Sequence, residues 1–358
     1  MKIAVGLSGG VDSSVAAYLL IKEGYEVFGL TMKNSPDIIT VNNGKSACIG
    51  EDNKETEEDV RKIAEKLKIS YHILDLTEDF ETKVMTYFKD EYKKGRTPNP
   101  CVVCNCRIKF NALLDRALAD GIEFDLFGTG HYARVEYNEE RKRFILKKAI
   151  YLEKDQTYFL AFLNQFQLSR LIFPLGTYTK SEVRKIAESI GLHTHDKIES
   201  QDFYSGDYKN LLDVKPIAGP IKHVDGRILG THMGYFNYTI GQRKGLGVSY
   251  NLPIFVVSLD PESNTVFVGE EKYLLNDKLY INKFNWVSIE NPGKQFKASV
   301  KIRYRHEAES ATIIPISDEL LEVIFDNPQK AITPGQVGAI YINDELVGGG
   351  FIELESSL

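Results

Sequence analysis

Four cysteines are all the thiols this 358-residue chain has, and none follows Cys106. The long remainder cannot join a disulfide framework. Cys101, Cys104 and Cys106 are crowded into one short stretch, which suits thiol chemistry or a metal better than structural bridges. Excess positive charge is also missing. Lys and Arg number 44 against 50 Asp and Glu, a net charge of −6, so any hold on nucleic acid must rest on local basic patches. No apolar run approaches the ~20 residues that span a bilayer. The chain opens on a core-like strand rather than a leader, which predicts a cytoplasmic protein with no membrane partner. There is no internal repeat and no low-complexity tract. At this length, two or three domains are expected. No lysine follows the glycines of the first turn, which excludes the common P-loop, and the spacing there is not that of the dinucleotide fingerprint.

That first turn is nevertheless where the chain is most informative. Lys2 to Leu7 reads as an apolar strand, and Val15 to Ile21 begins an apolar helix. Between them lies Ser8-Gly9-Gly10-Val11-Asp12-Ser13-Ser14. A glycine-hinged turn into a helix presents free backbone N–H groups and partial positive charge to a phosphate. Ser8, Ser13 and Ser14 are expected to add hydroxyl donors. Asp12 either orients the bound phosphate ligand and its cation or caps the helix. The SGGVDSS loop resembles that of the ATP pyrophosphatases, which implies an ATP site built from Gly6, Leu7, Ser8, Gly9, Gly10, Val11, Asp12, Ser13 and Ser14. An ordinary βα turn of small residues is the alternative.

Further along, strand and helix alternate. Strands are expected at 25–32, 71–76 and 124–129, and helices at 55–67 and 80–94, with a long loop over 34–51. This predicts an α/β domain with a parallel sheet covered on both faces. Ligands bind at the carboxyl ends of such strands, so the first turn, Met32 and Gly128 to His131 should converge. Thr97-Pro98-Asn99-Pro100 reads as a rigid connector, with helix resuming around Arg107 to Leu118. Segments 133–137 and 143–149 read as a hairpin whose Arg141-Lys142-Arg143 tip is simply charged. Thr179 and Glu182 form a capping box. After His195 short strands dominate, with a hairpin turn at Asp225-Gly226 and a small β-barrel from about Asp277 onward.

Taken in order, GLSGGVDSSVAAYLL, RTPNPCVVCNCRIKF, GTGHYAR, KDQTYFL, FPLG, TIGQRKGLG, IRYRH and TPGQVGAIY resemble the bacterial tRNA-specific 2-thiouridylases (MnmA/TrmU) over nearly the whole chain. The resemblance implies three parts. These are a PP-loop ATP pyrophosphatase domain (adenine nucleotide α-hydrolase-like) at 1–208, a small central domain at 209–275 and an RNA-binding β-barrel at 276–358. It implies ATP, Mg²⁺ and tRNA, with a cysteine desulfurase or persulfide relay protein as sulfur donor. The chemistry implied is adenylation of a uridine 2-oxygen, then sulfur transfer from a persulfide on Cys104. Arg107, Lys109 and a helix beginning after Cys104 would favour the sulfur anion. RNA contacts are carried over to Asn99, His131, Lys154, Asp155, Gln156 and Gln336. Arg303, Tyr304 and Arg305 join them, the two arginines sharing one face of a strand, and Gln242-Arg243-Lys244 is a weaker candidate.

The sequence departs from the family at two places. Cys101 stands where many members have Asp. The segment Glu199 to Gly206, where the family carries a second cysteine, has none. Three readings stay open. Cys101 or Cys106 resolves a persulfide on Cys104 locally. Alternatively, Cys101, Cys104 and Cys106 hold a 4Fe-4S cluster, with Cys48 as a substitute ligand. Or three sulfurs and His131 bind zinc. For Cys48 alone, an inconsequential loop thiol is the simplest reading. For the whole chain, thiolation of another RNA and a non-catalytic RNA-binding role are the competing functions. The intact SGGVDSS loop argues against the second.

Overall fold

The computed structural model describes residues 1–34, 53–192, 203–204 and 207–355. Cys48, the loop expected over 34–51 apart from Asn34, and residues 199–202 and 205–206 lie outside them.

The first domain is built as its alternation predicts. β1 (Lys2–Gly6), α1 (Val11–Lys22), β2 (Glu26–Lys33), α2 (Asn53–Leu67) and β3 (Tyr71–Asp75) follow one another. A helical stretch α3 spans 77–93, with a π turn at Glu81–Met85. A second, α4, spans 100–119. β4 (Leu126–Gly128), the hairpin β5 (Ala133–Asn138) and β6 (Arg143–Lys148), β7 (Leu171–Ile172) and α5 (Lys180–Ser189) complete it. The sheet order is β3-β2-β1-β4-β7, every pair parallel. β1 is central and buried on both faces, with Ile3, Ala4 and Val5 inaccessible to solvent. Such uniform apolarity marks an interior parallel strand.

The cysteine helix starts earlier than expected. Pro100 does not block it but occupies its first position, where the missing N–H costs nothing, and Asn99 Oδ1 caps it by accepting from Val102 N–H at 3.3 Å.

The central unit is a four-stranded sheet of β8 (Gly219–His223), β9 (Ile228–His232), β10 (Phe255–Asp260) and β11 (Thr265–Gly269), ordered β10-β11-β8-β9. Beyond it, β12 (Leu275–Trp286), β13 (Phe296–Lys301), β14 (Glu309–Pro315), β15 (Leu321–Lys330), β16 (Val337–Ile342) and β17 (Glu345–Glu353) form an antiparallel barrel. It closes where β12 pairs with β17. Closure leaves no open edge among the six strands.

The hairpin at 133–149 forms, but it is more than a charged tip. β6 pairs with β17 at Lys147 and Glu345, so the hairpin extends the barrel's sheet out of the first domain. Arg143 donates to the carbonyls of Trp286 (3.0 Å) and Val287 (3.2 Å), and Arg141 pairs with Glu345. These arginines dock the hairpin because barrel carbonyls and carboxylates lie within their reach. A second junction forms at the connector. Thr97 N–H donates to Pro334 O at 2.9 Å. Arg96 bridges the buried carboxylates of Glu91 on α3 and Glu353 on β17.

Candidate nucleotide and sulfur-transfer site

The turn after β1 has the shape an anion needs. Gly9 sits at φ +70, and a Cβ there would come within 3.2 Å of the Asp59 Cβ on α2. Gly10 is the N-cap of α1 and brings no side chain to satisfy the first N–H groups. Among the described residues no side chain caps them, which is the condition for an anion to bind there. The serines are used differently from expectation. Ser13 and Ser14 are buried, and their hydroxyls donate back to Gly10 O at 3.1 and 2.8 Å. They brace the loop, and Ser8 is the exposed one. Leu7 and Val11 are core residues, so only their backbone can face a phosphate.

Convergence at the strand ends follows the sheet rule. Thr31 Oγ1 on β2 donates to Leu7 O at 3.0 Å. Beyond β4, Gly130 lies so close to α1 that a Cβ would sit 2.7 Å from both Asp12 C and Ser13 N. Gly128 and Met32 themselves pack inward, Gly128 beneath Leu20 and Met32 on the main core. His131 Nδ1 lies 2.7 Å from Thr129 Oγ1, and its ring rests against Phe110 and Phe173. Burial first, and the charge of Lys109 second, hold His131 well below the ordinary imidazole range.

Asp12 is held by two groups that the sequence did not announce. Lys180 Nζ reaches its carboxylate oxygens at 2.7 and 2.8 Å, and Tyr132 OH donates at 2.8 Å. One signal was available. Lys180 opens α5 directly after its Thr179 cap, a position where the helix dipole disfavours a cation, so a distant anion was implied. Tyr132 is tied in turn to Gln156, whose Oε1 accepts from Tyr132 N–H at 3.0 Å. The KDQ segment thereby reaches the nucleotide loop through protein contacts.

The three clustered sulfurs do not converge. Cys101 is in the first helical turn and half-buried. Cys104 follows three residues later on the same face and is 4% exposed. Cys106 lies roughly 200° further round, and its Sγ donates to Phe162 O at 3.3 Å. Between them a π-helical stretch, Asn105–Ala112, is supported by Gln167, which donates to the carbonyls of Cys106 and Phe110. Among the described residues no three His, Cys, Asp or Glu side chains are grouped as metal ligands. The trio fits neither a three-cysteine cluster nor zinc. A helix start after Cys104 is also corrected. The helix begins at Pro100, so it is Cys101 that stands in its first turn. Burial pushes the Cys104 thiol up to about 11, against the pull of Lys109.

The other carried-over RNA positions divide. Asn99 is the buried helix cap. Asp155 is buried and accepts from Ala149 N–H, Thr157 N–H and Thr157 Oγ1, the last at 2.7 Å. Gln336 Nε2 donates to Thr97 O and Pro98 O, both at 3.1 Å. Arg303, Tyr304 and Arg305 lie in a turn, because β13 ends at Lys301. The two arginines therefore do not share a strand face. Arg303 and Arg305 are exposed there, and Tyr304 packs on Phe159 at 4.4 Å between centroids.

A parallel sheet with a glycine-hinged, anion-ready turn at its centre, fused to a closed barrel, defines a nucleotide-binding class of protein with an added β module. The family described as tRNA methyl transferase HUP domain matches residues 1–204. The tRNA methyl transferase PRC-barrel domain matches 209–270, and the aminomethyltransferase beta-barrel domain matches 276–352. The tRNA-specific 2-thiouridylase MnmA 1 of Caldanaerobacter subterraneus subsp. tengcongensis is 46% identical over 363 residues, covering 98% of each chain. The tRNA-specific 2-thiouridylase MnmA of Endomicrobium trichonymphae is 45% identical over 356 residues, covering 98% of this chain and 99% of that one. A solved 4-thiouridine synthetase–RNA complex with bound ATP aligns over 56% of this chain and 43% of that one, at 20% identity and TM-score 0.37. The chain belongs to the tRNA-specific 2-thiouridylase family.

Proposed function

We propose that this protein is an ATP-dependent tRNA-uridine 2-sulfurtransferase that acts on the wobble uridine and transfers sulfur through Cys104 and Cys101. Near-full-length identity to 2-thiouridylases is the observation that supports the reading most. The three parts follow the boundaries 1–208, 209–275 and 276–358.

ATP, arriving with Mg²⁺, lies with its phosphates at the turn Ser8 to Ser14. The uridine 2-oxygen attacks the α-phosphate, and pyrophosphate leaves. Preorganised N–H donors at the start of α1 stabilise the charge that develops. We assign Asp12 to fixing α1 through Lys180 and Tyr132 rather than to the metal. A donor protein loads Cys104 as a persulfide. Its terminal sulfur attacks C2, and AMP leaves. The Cys101 thiolate then attacks Cys104 Sγ, breaking the S–S bond to the product sulfur. The 2-thiouridine is released, a Cys101–Cys104 disulfide is formed, and an external dithiol reduces it. The one-turn spacing of the two thiols supports this pairing, whereas Cys106 faces away. For RNA, His131, Lys154, Arg303, Tyr304 and Arg305 remain the contacts. Asn99, Asp155, Gln156 and Gln336 spend their side chains on internal bonds in the RNA-free state.

The test is a thiolation assay with purified protein, ATP, a sulfur donor and tRNA, read by nucleoside mass spectrometry. Cys104→Ala should abolish product. Cys101→Ser should stop after about one turnover, and Cys106→Ser should retain activity. A requirement for Cys106 but not Cys101 would overturn the resolving assignment. No modification of any tRNA by the wild type would overturn the substrate.

A further inference from the structure

Lys109 is half-buried, and among the described residues no carboxylate pairs with it. A cation held partly out of water without an anion is costly, and such a cation marks a place where negative charge arrives. We propose that Lys109 is the counter-ion of the sulfur anion on Cys104. This rests on the sulfur-transfer role given to Cys104 above.

Backbone geometry sets where Lys109 lies relative to Cys104. Lys109 lies five residues after Cys104, which in a regular α-helix would turn it about 140° away. The intervening stretch is π-helical from Asn105 to Ala112. Its wider i→i+5 winding turns a residue five positions on less far away, leaving Lys109 on the same side of the helix as Cys104. The same winding leaves Cys106 on the far side, against Phe162 O. The next residue, Phe110, packs its ring 5.6 Å from that of His131, and the charge of Lys109 is felt at both Cys104 and His131. Among titratable groups, Cys101 and Lys109 face Cys104 on its own helix, and His131 faces Lys109 from the loop after β4. Arg107 is exposed and acts on Cys106 instead. Lys109 opposes the burial that keeps Cys104 protonated, and it depresses His131 so that no second cation competes there.

The experiment leaves Cys104 as the sole thiol in a C48S/C101S/C106S background of the full chain. Its alkylation by iodoacetamide is followed from pH 6.5 to 10, below the inflection near 11, without ATP or RNA. In K109Q the rise of the rate should move up by about one pH unit, so the rate should fall about tenfold at each pH of this range. K109R should keep the parent profile. Should K109Q not fold, Lys109→Met repeats the measurement. Looser packing would raise the rate at every pH, so the sign of the change is the readout. An uncharged variant with the parent rates overturns the proposal. Because the assay contains neither substrate, a lowered rate beside a failed tRNA assay would fault the RNA assignment and not the counter-ion.

Discussion

Gly130→Ala tests the contact between the loop after β4 and the start of α1. The new Cβ would sit 2.7 Å from two backbone atoms, Asp12 C and Ser13 N, about 0.7 Å inside the range where ordinary carbon contacts begin. Neither neighbour is a flexible side-chain tip, so one segment must move away from the other. The atoms struck belong to the first turn of α1, whose N–H groups would hold the phosphates. A displacement of this size costs up to about 100-fold where reacting groups must be aligned. The expected outcome is a 10- to 100-fold loss in kcat/KM for ATP in RNA-dependent pyrophosphate release. The fold should survive, because the loop can shift outward. Far-ultraviolet circular dichroism would check the fold, and a coupled pyrophosphate assay the kinetics. Wild-type kinetics in a folded G130A protein would refute the view that this loop and α1 share one nucleotide site.

Three further outcomes follow from contacts described above. Arg96→Met strips the partner from the buried carboxylates of Glu91 and Glu353, and urea unfolding should show a loss of about 3 kcal/mol. Lys180→Met removes the cation from Asp12, and the KM for ATP should rise about 3- to 10-fold in the same pyrophosphate assay. The third concerns alkaline stability. Cys104 holds its proton up to about pH 11 when folded, against about 8.5 for a free thiol. Its contribution is full below about pH 8.5 and is lost as pH rises towards 11. The fall in unfolding free energy between pH 8 and 10.5 should be smaller in Cys104→Ala than in wild type, as measured by denaturant titration.

The parallel sheet was legible because its inner strands have apolar centres and alternate with helical segments. Thr179 and Glu182 form the capping box that the spacing predicts. The turn after β1 was legible for the same reason: glycines, then a helix start. What escaped were contacts between segments far apart in the chain. Lys180 on Asp12 spans 168 positions, and nothing local in either segment requires the other. Periodicity also misled at Arg303 to Arg305, where the chain leaves the strand after Lys301 while the side chains keep alternating in type. The π stretch in α4 could not be read at all. A π turn differs from α winding by one hydrogen-bond step and has no composition of its own. Its support comes from Gln167, far along the chain, which donates to the carbonyls of Cys106 and Phe110.

The pairing of β6 with β17 sets a timetable for the newly made chain. The hairpin is finished within the first 148 residues, yet its partner strand begins at Glu345. During synthesis at roughly 5–20 residues per second, the hairpin waits about ten seconds or more with one edge unpaired. β17 then pairs with that edge at Lys147 and closes the barrel on β12 together. A ribosome that stalls before β17 releases a chain with an uncovered edge on the hairpin and two on the barrel, at β12 and β16, each a template for the wrong strand. Quality control of this protein therefore turns on its final barrel strand.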